Sequence, residues 1–441
     1  MTTRVLTGIT PSGTPHLGNY AGAIRPSILA SRRPDVDALY FLADYHALIK
    51  CDDPQRVARS RLEIAATWLA AGLDPDVVTF YRQSDIAEIP QLCWMLHCVT
   101  AKGLMNRAHA YKAIVDQNAD KGVDTDDGVT MGLFAYPVLM AADILLFNAQ
   151  HVPVGRDQIQ HLEMARDIAQ RFHHVYGQDL FVLPEAQIDA DVATLPGLDG
   201  RKMSKSYDNT IPLFEGGEAA LREAIKRIVT DSRAPGESKH AQDSHVFMLY
   251  RAFATPTQTQ AFAQALADGM AWGDAKAQLF ERIQEEIGPM RERYAQLIAN
   301  PGYIEDVLQA GAVKARKIAT PLMQRLREAV GLRSLSHAPH PLTQAKNNRP
   351  SADKKPRFVS FRATDGAFRF RLIAANGQEL FLSDAFARAQ DAGAAQKALV
   401  RQQFTHENAQ QDVRIQTDAQ TIGTVAASLW PAFQSALRAL A

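Results

Sequence analysis

At 441 residues the chain exceeds what one ordinary core organises, so two or three domains are expected, each burying its own apolar interior. Its 48 basic and 48 acidic side chains cancel, which excludes a whole-molecule field that would draw in a polyanion and leaves any nucleic-acid contact to local patches. The opening MTTRVLTGITPSG has no apolar secretory core, no apolar run reaches ~20 residues, and the three cysteines form no CxxC pair, so a soluble chain in a reducing cytoplasm, without membrane contact, is expected.

From Arg4 to Ile9 a β-rich run leads into Thr10–Pro11–Ser12–Gly13, and a helical pattern begins near Leu17. Ala38–Ala43 and Val77–Tyr81 read as strands on either side of a helix over Arg56–Ala71. After a helical insertion near residues 90–130 the theme repeats: a helix around Leu139–Phe147, a strand at His151–Val154, a helix over Asp157–Phe172 and a short strand at Leu180–Leu183. This alternation predicts an α/β fold with a doubly wound parallel sheet over residues 1–212. Beyond Pro212 the strand signal stops. Glu218–Thr230, Pro256–Leu266, Asp274–Ile298 and Tyr303–Val330 carry helical spacing, so 213–333 is predicted to be an all-α domain.

Residues 334–356 hold four prolines and no aromatic residue, which predicts a flexible basic linker. Strands at Arg357–Arg362 and Phe368–Ala374, a third ending near Ser383, turns at Asp365–Gly366 and Asn376–Gly377, and a helix over Ala385–Gln402 make 357–441 a small α+β domain. From Arg333 to Arg371 nine Lys/Arg stand against Asp353 and Asp365, a patch that suits either RNA binding or a solubilising linker.

Three segments carry chemistry. A tight loop between a strand and a helix N-terminus, here Thr10 to Asn19, lets a phosphate approach free backbone N–H groups. Two ammonium groups three residues apart in Lys202–Met203–Ser204–Lys205–Ser206, after Gly200, suit a loop that neutralises charge on a leaving pyrophosphate. Between them, the apolar run Tyr136–Leu146 contains one carboxylate, Asp143, which needs a donor if buried. The run His151–Gln158 joins a strand to a helix at the sheet edge where α/β ligands bind, although Asp157 is also explained as an N-cap.

His16–Leu17–Gly18–Asn19 resembles the HIGH motif of class I aminoacyl-tRNA synthetases, with asparagine in the last slot, and Lys202–Ser206 resembles their KMSKS motif. The pattern from Gly8 to Tyr20 and the run Met140–Ala141–Ala142–Asp143–Ile144–Leu145 are similar to the tryptophan-specific members. That resemblance covers about residues 1–332 and implies a Rossmann-type catalytic domain, a helical anticodon-recognition domain and a homodimer. The reaction it implies is activation of L-tryptophan by ATP with Mg2+, followed by transfer to tRNA(Trp). It assigns catalysis to His16, Lys112, Lys202 and Lys205. ATP contacts fall to Thr10, Pro11, Ser12, Gly18, Asn19, Gly155, Asp157, Leu195 and Lys202 through Met203, Ser204 and Lys205 to Ser206.

Tryptophan contacts fall to Asp143, His46, Tyr136, Met140 and Gln158, with Asp143 accepting the indole N–H; His46 reads equally well as a core histidine. Phenylalanine has no N–H and would strand the acid, which is how a site rejects an analogue by ~10⁴–10⁵ without editing. One departure is Arg107–Ala108–His109–Ala110–Tyr111–Lys112, where alanine at 110 replaces the glutamine expected near the substrate carboxylate. No protein metal site is expected. Competing readings are a regulatory paralogue, expected to have lost the loop lysines or the pocket acid, and a small nucleotidyltransferase, expected to lack the long helical region. The C-terminal pattern from Asp365 to Gly377 resembles a small uncharacterised bacterial domain.

Overall fold

A computed structural model describes residues 2–11, 13–155, 158–187, 195–332, 355–363, 365–408, 412–417 and 420–440, with Ser206 described by its backbone alone. Ser12, Asp157, the Ser206 side chain and residues 334–354 of the expected linker therefore lie outside the described residues. Met1–Arg333 forms one compact unit and Ser334–Ala441 a second.

In the first unit, β1 (Thr3–Ile9), β2 (Val36–Leu42), β3 (Thr79–Arg82), β4 (His151–Pro153) and β5 (Glu185–Gln187) pair in parallel in the order β3-β2-β1-β4-β5. The order reverses between β1 and β4, so a crevice opens beyond the carboxyl ends of those strands. The fifth strand is a correction: it lies at Glu185–Gln187 rather than Leu180–Leu183. Leu180 and Phe181 are buried, and their amides donate to His173 Nε2 at 3.2 and 2.9 Å, so those donors are already used and cannot join a ladder.

Around the sheet run α1 (Leu17–Asn19), a π-helical turn at Tyr20–Ile24, α2 (Arg25–Ser31), α3 (Asp44–Ala47), α4 (Pro54–Ala70), α5 (Glu88–Val99), α6 (Lys102–Met105), α7 (His109–Lys121), α8 (Met131–Leu145) and α9 (Ile159–Tyr176). Then follow α10 (Gly217–Arg227), α11 (His245–Phe253), α12 (Pro256–Ala267), α13 (Trp272–Ala299) and α14 (Pro301–Ala329). Alternate residues of β2 feed two cores: Ala38, Tyr40 and Leu42 join one, Leu39 and Phe41 the other. Burial on both faces explains the unbroken apolar run. The helical stretch does not enclose a core of its own, because Leu221, Leu249, Phe280 and Ile287 share a cluster with Leu17, Tyr20 and Trp68. Polar ties reinforce it: Tyr20 Oη donates to Glu286 at 2.7 Å and Arg293 donates twice to the Ala70 carbonyl.

Helix α14 then returns to the sheet. A Cβ placed on Gly311 would lie 1.6 Å from the Phe80 carbonyl oxygen, so helix and strand β3 touch through bare backbone. Arg82 on β3 reaches both carboxylate oxygens of Glu305 at 2.7 and 2.6 Å, beside its bridge to Asp85.

The second unit comprises β6 (Arg357–Arg362), β7 (Phe368–Ile373), β8 (Glu379–Ser383), α15 (Ala389–Val400), β9 (Thr405–Asn408), β10 (Asp412–Gln416), β11 (Thr421–Ala426) and α16 (Trp430–Leu440). Its six strands form one antiparallel sheet, β6-β7-β8-β11-β10-β9. The element order is therefore three strands and a helix, twice, with the third strands of each half paired at the centre.

Candidate active site

The strand ends of β1, β2 and β4 open onto a cavity of about 760 Å³. Thr10, His46, Tyr136, Met140, Asp143, Gly155 and Gln158, all singled out in the sequence, line it together with apolar Phe41, Ile114 and Leu133. Asp143 sits on α8, whose apolar composition buries it to 2% exposure. Burial pushes its carboxyl pKa up, and hydrogen bonds from His46 and Gln83 partly offset that. His46 Nε2 lies 2.9 Å from Asp143 Oδ2, while Gln83 Nε2 donates to both oxygens at 2.8 and 2.9 Å. A carboxylate offers about four acceptor sites, so these contacts orient Asp143 and leave room for one more donor.

Gln83 was not anticipated. It follows β3 directly, is completely buried, and accepts from the Tyr45 amide at 3.0 Å, which ties the loops after β2 and β3 together under the acid. The available signal was a polar residue immediately beyond a strand's carboxyl end. A second relay sits opposite: Tyr136 Oη lies 2.9 Å from His161 Nε2, and His161 Nδ1 lies 2.9 Å from Gln158 Oε1. The buried His161 thus fixes two lining residues at once.

Pro11, His16, Gly18, Asn19, Leu195, Lys202, Met203, Ser204 and Lys205 do not line that cavity. Apart from Pro11, they gather around the first loop and the lysine loop in a second cluster. Gly18 N points at Met203 Sδ at 3.3 Å, Met203 N donates to the Leu195 carbonyl, and a Cβ on Gly13 would lie 2.9 Å from Lys205 Nζ. Gly13 also has φ +133°, a backbone conformation that favours glycine. His16 and Asn19 cap the helix reciprocally: His16 Nδ1 accepts from Asn19 N and Asn19 Oδ1 accepts from His16 N. The asparagine in the last motif slot is thereby accounted for as the third residue of a capping box. Because Nδ1 accepts, the proton of the neutral ring is on Nε2. Burial and then the Lys205 charge lower the His16 pKa to about 4. Burial and the Arg56 charge likewise lower Lys205.

Asn209 holds the lysine loop, accepting from Ser204 N at 2.8 Å and donating to Asp199 at 2.6 Å. Lys112 is exposed on α7 and belongs to neither group, whereas Ala110, two residues earlier, faces the cavity. Lys50, not predicted, is the only lysine or arginine among the described lining residues. Among the described residues no three His, Cys, Asp or Glu side chains stand together as a metal site, and no helix is long and apolar enough to cross a membrane.

The family described as class I tRNA synthetases (W and Y) matches residues 1–287. A tryptophan–tRNA ligase of Bordetella parapertussis is 70% identical over 401 residues, covering 90% of this chain and 88% of that protein. One from Pseudomonas aeruginosa is 66% identical over 402 residues, covering 91% and 89%. The crystal structure of the Campylobacter jejuni tryptophanyl-tRNA synthetase complexed with ADP and tryptophan superposes with a TM-score of 0.68 at 40% identity, covering 75% of this chain and all of that one.

Proposed function

This chain belongs to the class I tRNA synthetases that serve tryptophan and tyrosine, and from that membership we propose that it is a tryptophan–tRNA ligase. It activates L-tryptophan with ATP and then esterifies the amino acid to tRNA(Trp). The observation that carries the choice of amino acid is the buried Asp143, held by His46 and Gln83 at the wall of an apolar cavity. An indole N–H satisfies it, and a phenyl ring leaves it unpaired. The carboxylate of tryptophan attacks the α-phosphorus of ATP, the bond to the bridging oxygen breaks, and pyrophosphate leaves. A terminal ribose hydroxyl of the tRNA then attacks the adenylate carbonyl carbon and AMP departs.

No protein nucleophile is needed, so the residues position groups and stabilise charge. Neutral His16 offers its Nε2–H to a phosphate oxygen, and Lys202 and Lys205 neutralise the leaving pyrophosphate. Met140 and His46 wall the indole slot, and Gln158, set by His161, takes the ammonium together with Tyr136. With alanine at 110, the cation that the described lining residues offer the substrate carboxylate is Lys50. A magnesium ion carried by the nucleotide would lessen the repulsion between its phosphates, a role that asks for no protein metal ligands. The chain acts as a homodimer in the cytoplasm, where its thiols, Cys51, Cys93 and Cys98, remain unpaired.

The test is exchange of labelled pyrophosphate into ATP by the purified chain with each of the twenty amino acids. Exchange with tryptophan alone is expected. Exchange with tyrosine would move the chain to the sister specificity, and exchange with none would favour the regulatory paralogue.

A further inference from the structure

All the described residues lining the cavity belong to the first unit, which leaves the role of the second unit to be argued from its own residues. Among the described residues of this unit, its helices cover one face of the sheet. Phe370, Leu372, Phe381, Ile415 and Val425 point into a core closed by Leu399 of α15 and Phe433 of α16. Side chains alternate along a strand, so the intervening residues face the other way. Strand register aligns Val359, Arg371, Leu382, Thr424, Arg414 and Glu407, one from each strand, in a row across that open face.

Neighbouring positions add Phe361 opposite Arg369 and Arg357 opposite Ile373. The Arg371 guanidinium lies 4.6 Å from the centre of the Phe361 ring, and Leu382 is 43% exposed. Arg369 and Arg371 are held by Asp365 at 2.8 Å and Glu379 at 3.1 Å. On the β6–β7 side of the face Arg357, Arg369 and Arg371 stand against Asp365 and Glu379, a local excess of one positive charge on a chain whose total is neutral.

We propose that this open face docks on the tRNA, its arginines meeting phosphates and Phe361 offering a plane on which an unpaired base stacks. The proposal rests on the ligase reading for the identity of the RNA. Guanidinium groups interleaved with an aromatic ring and apolar side chains on a sheet supply both counter-charge and stacking, the two terms that hold single-stranded segments of RNA. The centre of a protein-binding patch is instead depleted in charge. Arg357 and Arg414 are exposed and sit on strands at opposite sides of the sheet, so an RNA contacting both lies across the strands.

Full-length variants Arg357→Gln with Arg414→Gln, and separately Phe361→Ala, test this. Three quantities are read: tRNA affinity across a salt series, KM for tRNA in aminoacylation, and tryptophan-dependent pyrophosphate exchange without tRNA. Each lost arginine–phosphate contact is expected to flatten the slope of log affinity against log salt by about 0.7–1. KM for tRNA should rise, with Phe361→Ala weakening tRNA binding by about tenfold, while exchange stays at the parent level. Unchanged slope, affinity and KM in all variants, as a face built for a protein partner would give, overturn the proposal. Absence of tryptophan-dependent exchange in the parent chain would overturn the ligase reading instead, so the two failures appear in different assays.

Discussion

Asp143 combines 2% exposure with a place on the cavity wall, and its oxygens are already engaged by Gln83 and His46. In Asp143→Asn one oxygen must serve Gln83, His46 and the substrate, and the new amide donor faces Gln83 Nε2. A hydrogen bond to a charged group contributes ~1.5–3 kcal/mol, so kcat/KM for tryptophan should fall by roughly 10- to 100-fold. The advantage over phenylalanine should shrink with it in pyrophosphate exchange; an unchanged ratio would remove Asp143 from the pocket. His16 gives a pH prediction. Its pKa of about 4 lies below the ordinary 6.5, so between those values the unfolded chain holds more protons. Stability due to this group therefore falls as pH drops from 6.5 towards 4 and is fully present above 6.5. The His16 ring resonances in an NMR titration should shift near pH 4; a midpoint near 6.5 would contradict the buried, neutral ring. The residues most legible in the sequence sit in contiguous motifs, as Asp143 and Lys205 do. Gln83 was not legible because its partner is 60 residues away and only the approach of two loops brings them together.

Among the elements, α14 makes the tightest approach. Gly311→Ala would drive a methyl group into the Phe80 carbonyl, and because the obstacle is backbone, helix and strand must separate. Overpacking of this kind costs ~1–3 kcal/mol or more. A clear fall in Tm by calorimetry is expected, whereas an unaltered Tm would show that α14 does not rest on β3 there. The sequence revealed that α14 is a long amphipathic helix but not which strand it covers, since periodicity marks a buried stripe without naming its partner. Two shorter elements were harder. The segment His245–Phe253 is a helix capped by Ser244, but nine residues rich in aromatic and aliphatic side chains are too short for helix and strand spacing to be separated. Leu180–Leu183 has the composition of a strand, but the His173 imidazole takes two of its amides.

On the scale of the whole molecule, the two compact units imply independence of activation from the C-terminal sheet. A chain ending after residue 332 should fold and retain tryptophan-dependent exchange while losing affinity for tRNA; loss of exchange would mean that the first unit is incomplete without the second. Only the first half of the C-terminal repeat was legible. Its strands alternate cleanly around Asp-Gly and Asn-Gly turns, while β9, Thr405–Asn408, is polar throughout and pairs only because β10 presents an edge. The return of α14 to β3 also bears on how the protein is made. Arg82 and Glu305 stand 223 residues apart. At ~5–20 residues per second a ribosome therefore needs on the order of 10–45 s between delivering the edge strand and delivering the helix that packs on it. Throughout that interval the flank of β3 that α14 later covers stays open, an exposed strand edge of the kind that pairs with other chains, so the finished protein's yield is set by how long that edge waits as well as by the stability of the completed fold.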